Sequence, residues 1–125
     1  MNGSSDRPLI GKLGEALACE YLRISGYKIL ERNYRCQIGE IDIIASEGDA
    51  LAFVEVRTKT SDAYGLPVET IREHKKAKLR QVACHYLSER GPRGKCMRFD
   101  VVGILFREGE EPVIELIRNA FCRGE

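Results

Sequence analysis

Two carboxylates carry the first chemistry in this sequence. Ile41-Asp42-Ile43-Ile44 and Leu51 to Arg57 are runs of strand-forming residues separated by Ser46-Glu47-Gly48-Asp49-Ala50. A two-residue turn on Gly48-Asp49, with glycine first, predicts a type II′ hairpin. In that register, opposed residue numbers sum to 97, so Asp42 faces Glu55 and Glu40 faces Arg57. Directly opposed side chains have Cβ atoms about 5 Å apart. Two carboxylates so placed repel, and a cation must lie between or beside them. Oxygen ligands at this spacing suit Mg²⁺ or Mn²⁺. The competing account is a solvated strand edge neutralised by Arg57 and Lys59. Against it, Leu51, Phe53 and Glu55 share a face, so Glu55 continues an apolar row and is partly desolvated. Such groups are functional-site candidates.

Three elements must position these groups. Leu9 to Ser25 reads as an amphipathic helix, with Ile10, Leu13, Leu17, Tyr21 and Ile24 at helical spacing and Gly26 as its stop. Gly11 and Gly14 flatten its surface, and Glu15 is a third carboxylate within reach of the sheet; an acid favoured by the helix dipole is the alternative. Strands are expected over 27–34, 39–46 and 50–58, then a polar loop over 60–67. Val68 to Ser88 reads as a second helix ended by Gly91-Pro92. In it Ile71, Lys75, Leu79, Val82 and Tyr86 form one stripe, with Lys75 where an apolar residue belongs. Lys75 either meets an acid on the sheet or snorkels to water. Its neighbours Arg72, Lys76 and Arg80 face outward. Strands at 98–106 and 113–117 complete the order α-β-β-β-α-β-β, which predicts an α/β fold with a mixed sheet covered by helices.

At 125 residues the chain has the length of one domain. We expect residues 1–8 to be a flexible lead-in and 9–125 a single domain. No apolar run approaches a membrane span, and MNGSSDRP is no secretory signal. The net charge of +1 conceals a split: Thr70 to Arg98 holds nine Lys/Arg and two acids, a net of +7 against −6 elsewhere. Five cysteines (19, 36, 84, 96, 122) without a CxxC pair argue for free thiols in a reducing cytoplasm. His74 and His85 on one helix are roughly 16 Å apart, too far to share a metal, and read as surface histidines.

The motifs Gly11-Lys12-Leu13-Gly14-Glu15, Arg32-Asn33-Tyr34-Arg35, Gly39-Glu40-Ile41-Asp42, Phe53-Val54-Glu55-Val56-Arg57 and Arg98-Phe99-Asp100-Val101-Val102 resemble the YraN-like family of bacterial proteins. That family is similar to Holliday junction resolvases and the PD-(D/E)XK nuclease superfamily, with the restriction-endonuclease-like fold. The resemblance implies a three-layer α/β/α core in which Asp42 and Glu55 bind Mg²⁺, Glu15 matches the helix-one acid and Lys75 the polar residue of the later helix. Ile41 stands at the motif's proline. Arg57 stands at its lysine, the residue held to orient or activate water. Arginine cannot act as a base, yet it stabilises phosphate charge by bidentate hydrogen bonds. The resemblance therefore implies a metal-dependent endonuclease acting on DNA, with branched DNA as a candidate substrate. Catalysis would involve Glu15, Asp42, Glu55, Arg57 and Lys75. Lys12, Lys59, Arg72, Lys76 and Arg80 would contact nucleic acid. Relatives that resolve four-way junctions act as dimers, which makes a homodimer a candidate assembly. The alternative is a nucleic-acid-binding module with this fold and no chemistry; a third reading is a protein-interaction scaffold.

Overall fold

The computed structural model describes residues 3–60, 71–91 and 96–121, with side chains from residue 9 onward. Its elements are helix α1 (Gly3–Ile24), strands β1 (Lys28–Arg35), β2 (Glu40–Glu47) and β3 (Ala50–Lys59), helix α2 (Glu73–Arg90), and strands β4 (Cys96–Leu105) and β5 (Val113–Phe121). The order is the one expected from sequence. The strands form one mixed sheet in the spatial order β1-β2-β3-β4-β5, parallel between β3 and β4 and antiparallel elsewhere. The one parallel pair is the pair that α2 connects, as a crossover must.

Each helix covers one face of the sheet, giving three layers. Alternation along β3 separates the two cores: Leu51 and Phe53 pack with Leu79, Val82, Ala83 and Tyr86 of α2, whereas Ala52 and Val54 pack with Ala18, Cys19 and Leu22 of α1. The β2–β3 hairpin keeps the predicted register, from Glu47↔Ala50 to Ile43↔Val54. Gly48 has φ +57, as the first position of the II′ turn demands, while Asp49 keeps a negative φ.

Four expectations need correction. Helix α1 starts at Gly3, six residues before the expected Leu9. The stripe expected to be buried is not: Leu13 is 50% and Ile24 79% exposed, while Gly14, Ala18, Cys19 and Leu22 are buried. The helix is rotated by roughly a third of a turn from the expected setting. Small side chains let α1 lie close to the sheet, where a methyl group at Gly14 would overlap Cγ2 of Thr58. Strand β5 runs to Phe121, four residues beyond the expected end. Helix α2 begins at Glu73; the expected start at Val68 and most of the loop expected at 60–67 lie outside the described residues.

Two irregularities aim side chains. Asn33 adopts φ 55, which asparagine tolerates. Residues two apart on a strand normally share a face, yet Arg32 reaches Glu15 on α1 at 3.9 Å while Tyr34 stacks edge-on against Tyr86 of α2 at 5.1 Å. The neighbouring β2 switches with it: Ile41 enters the α2 core and Ile43 the α1 core. In β5 the register shifts between Ile117 and Phe121, and Asn119, also at φ 55, donates its N–H to the buried Asp100 at 2.9 Å. Asp100 also accepts from Tyr27 Oη at 2.6 Å and Arg98 Nε at 3.0 Å. Arg98 and Arg118 both bind Glu47, and the hydrogen bonds from Arg118 hold the Glu47 carboxyl down to a pKa of about 2.

The contact at Gly14 makes a direct test. Gly14→Ala should lower stability by about 1–3 kcal/mol, overpacking outweighing the ~1 kcal/mol that alanine gains in a helix. Thr58→Ser deletes the obstructing methyl, so Gly14→Ala in that background should become neutral or stabilising. Urea unfolding of the four proteins in the cycle reads both effects.

Candidate functional site

The β2–β3 ladder stops at Ile43↔Val54. Past that point the strands part, and Val56 N–H donates to Asp42 Oδ2 at 2.8 Å instead of to a main-chain carbonyl. A buried N–H left without an acceptor is costly, so this bond holds the Asp42 carboxyl in the gap between the strands. Asp42 sits at the face switch between Ile41 and Ile43, and its side chain feels acids from both layers. Burial, then the neighbouring Glu55 charge, raise its pKa to about 7, with Glu15 adding to the rise and the Val56 N–H opposing it. The two carboxyls are close enough for a side-chain hydrogen bond.

Glu55 continues the apolar row of Leu51 and Phe53 on the α2 face, as expected, and is only 9% exposed. Lys75, in the first turn of α2, places Nζ 3.4 Å from Glu55 Oε2. The lysine in the apolar stripe therefore meets an acid on the sheet and does not merely snorkel. Arg57 follows Glu55 on the same face, two residues along β3, and lines a cleft of about 210 Å³ with Arg72, His74 and Lys75.

The remaining candidates are more scattered. Glu15, next to Gly14 on α1, pairs with Arg32 at 3.9 Å and adds to the field at Asp42. Glu40, expected opposite Arg57, pairs with Arg35 at 2.8 Å across the β1–β2 ladder. Lys12 is exposed on α1, and Lys59 is half-buried at the end of β3. Lys76 and Arg80, expected to face outward, lean over the Phe121 ring at 5.6 and 5.7 Å, because a cation is attracted to an aromatic face. Arg80 also borders a separate groove with Ile38, Cys84 and His85, away from the acids. His74, read from sequence as a plain surface residue, belongs to the cleft; its spacing of one residue from Lys75 gave no signal. His85 pairs with Glu89 at 3.4 Å. The cysteines at 19, 36, 84 and 96 are free thiols; Cys122 lies outside the described residues.

No group of three or more His, Cys, Asp or Glu side chains among the described residues is arranged to hold a metal ion. The arrangement is a carboxylate pair with Glu15 nearby. That pair could hold a divalent cation: its donors are hard oxygens, burial and then the Glu55 charge raise the Asp42 pKa, and Mg²⁺ ordinarily takes one or two protein carboxylates and fills its shell with water and phosphate.

Asp42 is half-buried and Asp100 fully buried, with opposite surroundings, and they should respond oppositely to the same change. In chelator-treated protein, Asp42→Asn keeps an acceptor for Val56 N–H and removes like-charge repulsion, so its thermal midpoint should rise by a few degrees, about 1 kcal/mol. Asp100→Asn removes the fully buried one of the two carboxylates that bind Arg98, leaving Glu47, and should cost about 3–5 kcal/mol. Calorimetric melts of both variants decide the matter.

Among the described residues no helix is long and apolar enough to cross a membrane. The model of the Uncharacterised protein family UPF0102 matches residues 14–104, a span from Gly14 and Glu15 through the carboxylate pair to β4. A UPF0102 protein of Pelotomaculum thermopropionicum is 47% identical over 116 residues, 92% of this chain and 97% of its own. One from Moorella thermoacetica is 47% identical over 112 residues, covering 89% and 93%, and one from Rhodococcus jostii is 43% identical over 112 residues, covering 90% and 95%. The YraN-like resemblance read from the motifs is borne out, and the chain belongs to family UPF0102.

Proposed function

We propose that this chain is a divalent-metal-dependent phosphodiesterase acting on DNA, with branched DNA as its candidate substrate. The observation that carries the reading is the carboxylate pair of Asp42 and Glu55 at the parting of β2 and β3, met by Lys75 from α2 at 3.4 Å. Asp42 and Glu55 would hold Mg²⁺ or Mn²⁺, and Glu15 would be available as a further ligand on releasing Arg32. Bound there, the ion would supply a water of lowered pKa and positive charge for the phosphate. Arg57 stays charged throughout and neutralises the scissile phosphate by paired hydrogen bonds. Lys75, with its Nζ 3.4 Å from Glu55 Oε2, would supply the ammonium that the motif's lysine gives and Arg57 does not. Lys12, Lys59, Lys76 and Arg80 form the wider surface for the DNA backbone. A four-way junction substrate would bring two copies of the chain together as a homodimer.

One observation favours a second reading. With arginine at the lysine position, the chain has a residue that binds phosphate and cannot take a proton, which suits a nucleic-acid-binding module without chemistry. The two readings part at the metal.

Linear, flapped and four-way-junction DNA incubated with Mg²⁺ or Mn²⁺ should be cleaved by the wild-type chain. Asp42→Asn and Glu55→Gln should each lower the rate by at least about 100-fold while the protein stays folded by circular dichroism. Titration calorimetry should show cation binding that Asp42→Asn removes. Cleavage undiminished in the double variant would sink the proposal, and DNA binding without any Asp42-dependent cation binding would establish the inert module.

A further inference from the structure

A second recess opens along the outer side of α2. Ile38, Arg80, Gln81, Cys84, His85 and Ser88 line a groove of about 460 Å³, within the ~300–1,000 Å³ of pockets that take small ligands. One of its walls is built to stay in place. Cys36 N–H donates to Gly39 O at 2.9 Å and closes the β1–β2 turn. Cys36 packs against the core under α2, and Gly39 lies so near the helix that a Cβ there would touch Lys78 and Val82 at 3.4 Å. The turn is therefore anchored on both sides of Ile38, which is itself 36% exposed. Together with the exposed Cys84 thiol, a small and largely apolar group, Ile38 gives the groove an apolar surface held in a fixed position.

The polar groups around that surface suit a nucleobase. The Gln81 side chain is exposed and offers a donor and an acceptor on one planar end, the combination that reads a base edge. His85 adds an imidazole ring, held by Glu89 at 3.4 Å. No acid is among the described lining residues, and Glu89 is taken up by His85 and by Tyr34 Oη at 2.8 Å. Lys78 runs its methylene chain past Gly39 and is exposed beside the turn, where the phosphate of a nucleotide would be met. Stacking of bases on side chains, with cations along the backbone, is how single-stranded nucleic acid is held. The groove is also continuous with the carboxylate pair along one helix. Lys75 meets Glu55, and Gln81 and Cys84 stand about 9 and 14 Å further along α2. At about 3.4 Å per base step, three or four nucleotides cover that distance. Charge and continuity thus select nucleic acid over a protein segment.

We infer that this groove takes an unpaired nucleotide of DNA whose backbone follows α2. The base lies against Ile38 and Cys84, Gln81 bonds its edge, and Lys78 meets its phosphate. That the nucleotide belongs to DNA rests on the phosphodiesterase reading, which the groove deepens. A base leaves the stack at least cost where it is already unpaired, as at a flap, bulge or branch. The groove therefore supplies a preference for such DNA over an intact duplex without any contact to a metal.

The test uses the full chain in chelator at one fixed salt concentration, so that binding is read without cleavage. End-labelled duplexes with one unpaired adenine, one unpaired thymine or no unpaired base are titrated by fluorescence anisotropy. The unpaired adenine should raise affinity about tenfold over the intact duplex, the order that one stacked base contributes. Thymine should gain less, since glutamine bonds both N6 and N7 of adenine. Ile38→Ala and Gln81→Ala, at sites outside both cores, should each reduce that preference. The double variant should erase it with an unaltered melting temperature and an unchanged affinity for intact duplex. Lys78→Ala should weaken binding of all three duplexes and lower the salt slope by about one. Leu9→Ala, which trims an exposed apolar residue on α1, should change nothing. Amide resonances of Ile38, Gln81 and Cys84 should shift with the unpaired base and not with the intact duplex. Equal affinity for bulged and intact duplexes, or a preference kept by the double variant, overturns the proposal. Shifts at those amides that grow with protein concentration alone assign the groove to a second copy and overturn it as well. Bulge preference in a protein that cuts no DNA removes the phosphodiesterase reading and keeps the groove; cleavage with equal binding of bulged and intact duplexes does the reverse.

Discussion

The Val56 N–H, left without a strand partner where β2 and β3 diverge, is the point on which the site depends. An amide in that position must find an acceptor, and the Asp42 carboxylate is the one supplied. That single bond fixes an acid at the junction of the two cores, next to Glu55 and within the field of Glu15. The carboxyl therefore does two jobs. As an acceptor it completes the sheet, and as a charge it stands against the neighbouring Glu55.

The contrast with the other polar cluster is instructive. Glu47, Arg98, Asp100 and Arg118 set two cations against two acids, and Tyr27 and Asn119 complete the hydrogen bonds of Asp100. Burial there is matched by partners, so the cluster reads as architecture. At Asp42 and Glu55 the cation met by Glu55 is Lys75, which is 45% exposed. A carboxylate pair with cationic side chains beside it is the arrangement on which the proposed metal and phosphate chemistry rests.

Much of this was written in local sequence. Gly48-Asp49 set the hairpin register, and the register located Glu55 relative to Asp42. Lys75 betrayed itself by standing in an apolar stripe. What stayed hidden depended on neighbours distant in the chain. The stripe of larger apolar residues on α1 lost the sheet to Gly14, Ala18 and Leu22, because closeness to Thr58 selects small side chains, and no periodicity measures closeness. The same rotation decides where Glu15 points. Arg72, Lys76 and Arg80 looked like one basic face until Phe121, distant in the chain, drew two of them aside. His74 gave no sign of joining Arg57, since strand and helix meet there only in the folded chain.

The turn of the backbone at Asn33 has a mechanical consequence. Strand β1 is an edge strand, the sort that ordinarily frays first. Here it sends Arg32 into one layer and Tyr34 into the other, so peeling it away breaks contacts in both at once. Its amides should then exchange with solvent in concert with the central strands rather than ahead of them. The margin of the sheet behaves as a clasp between the two halves of the molecule.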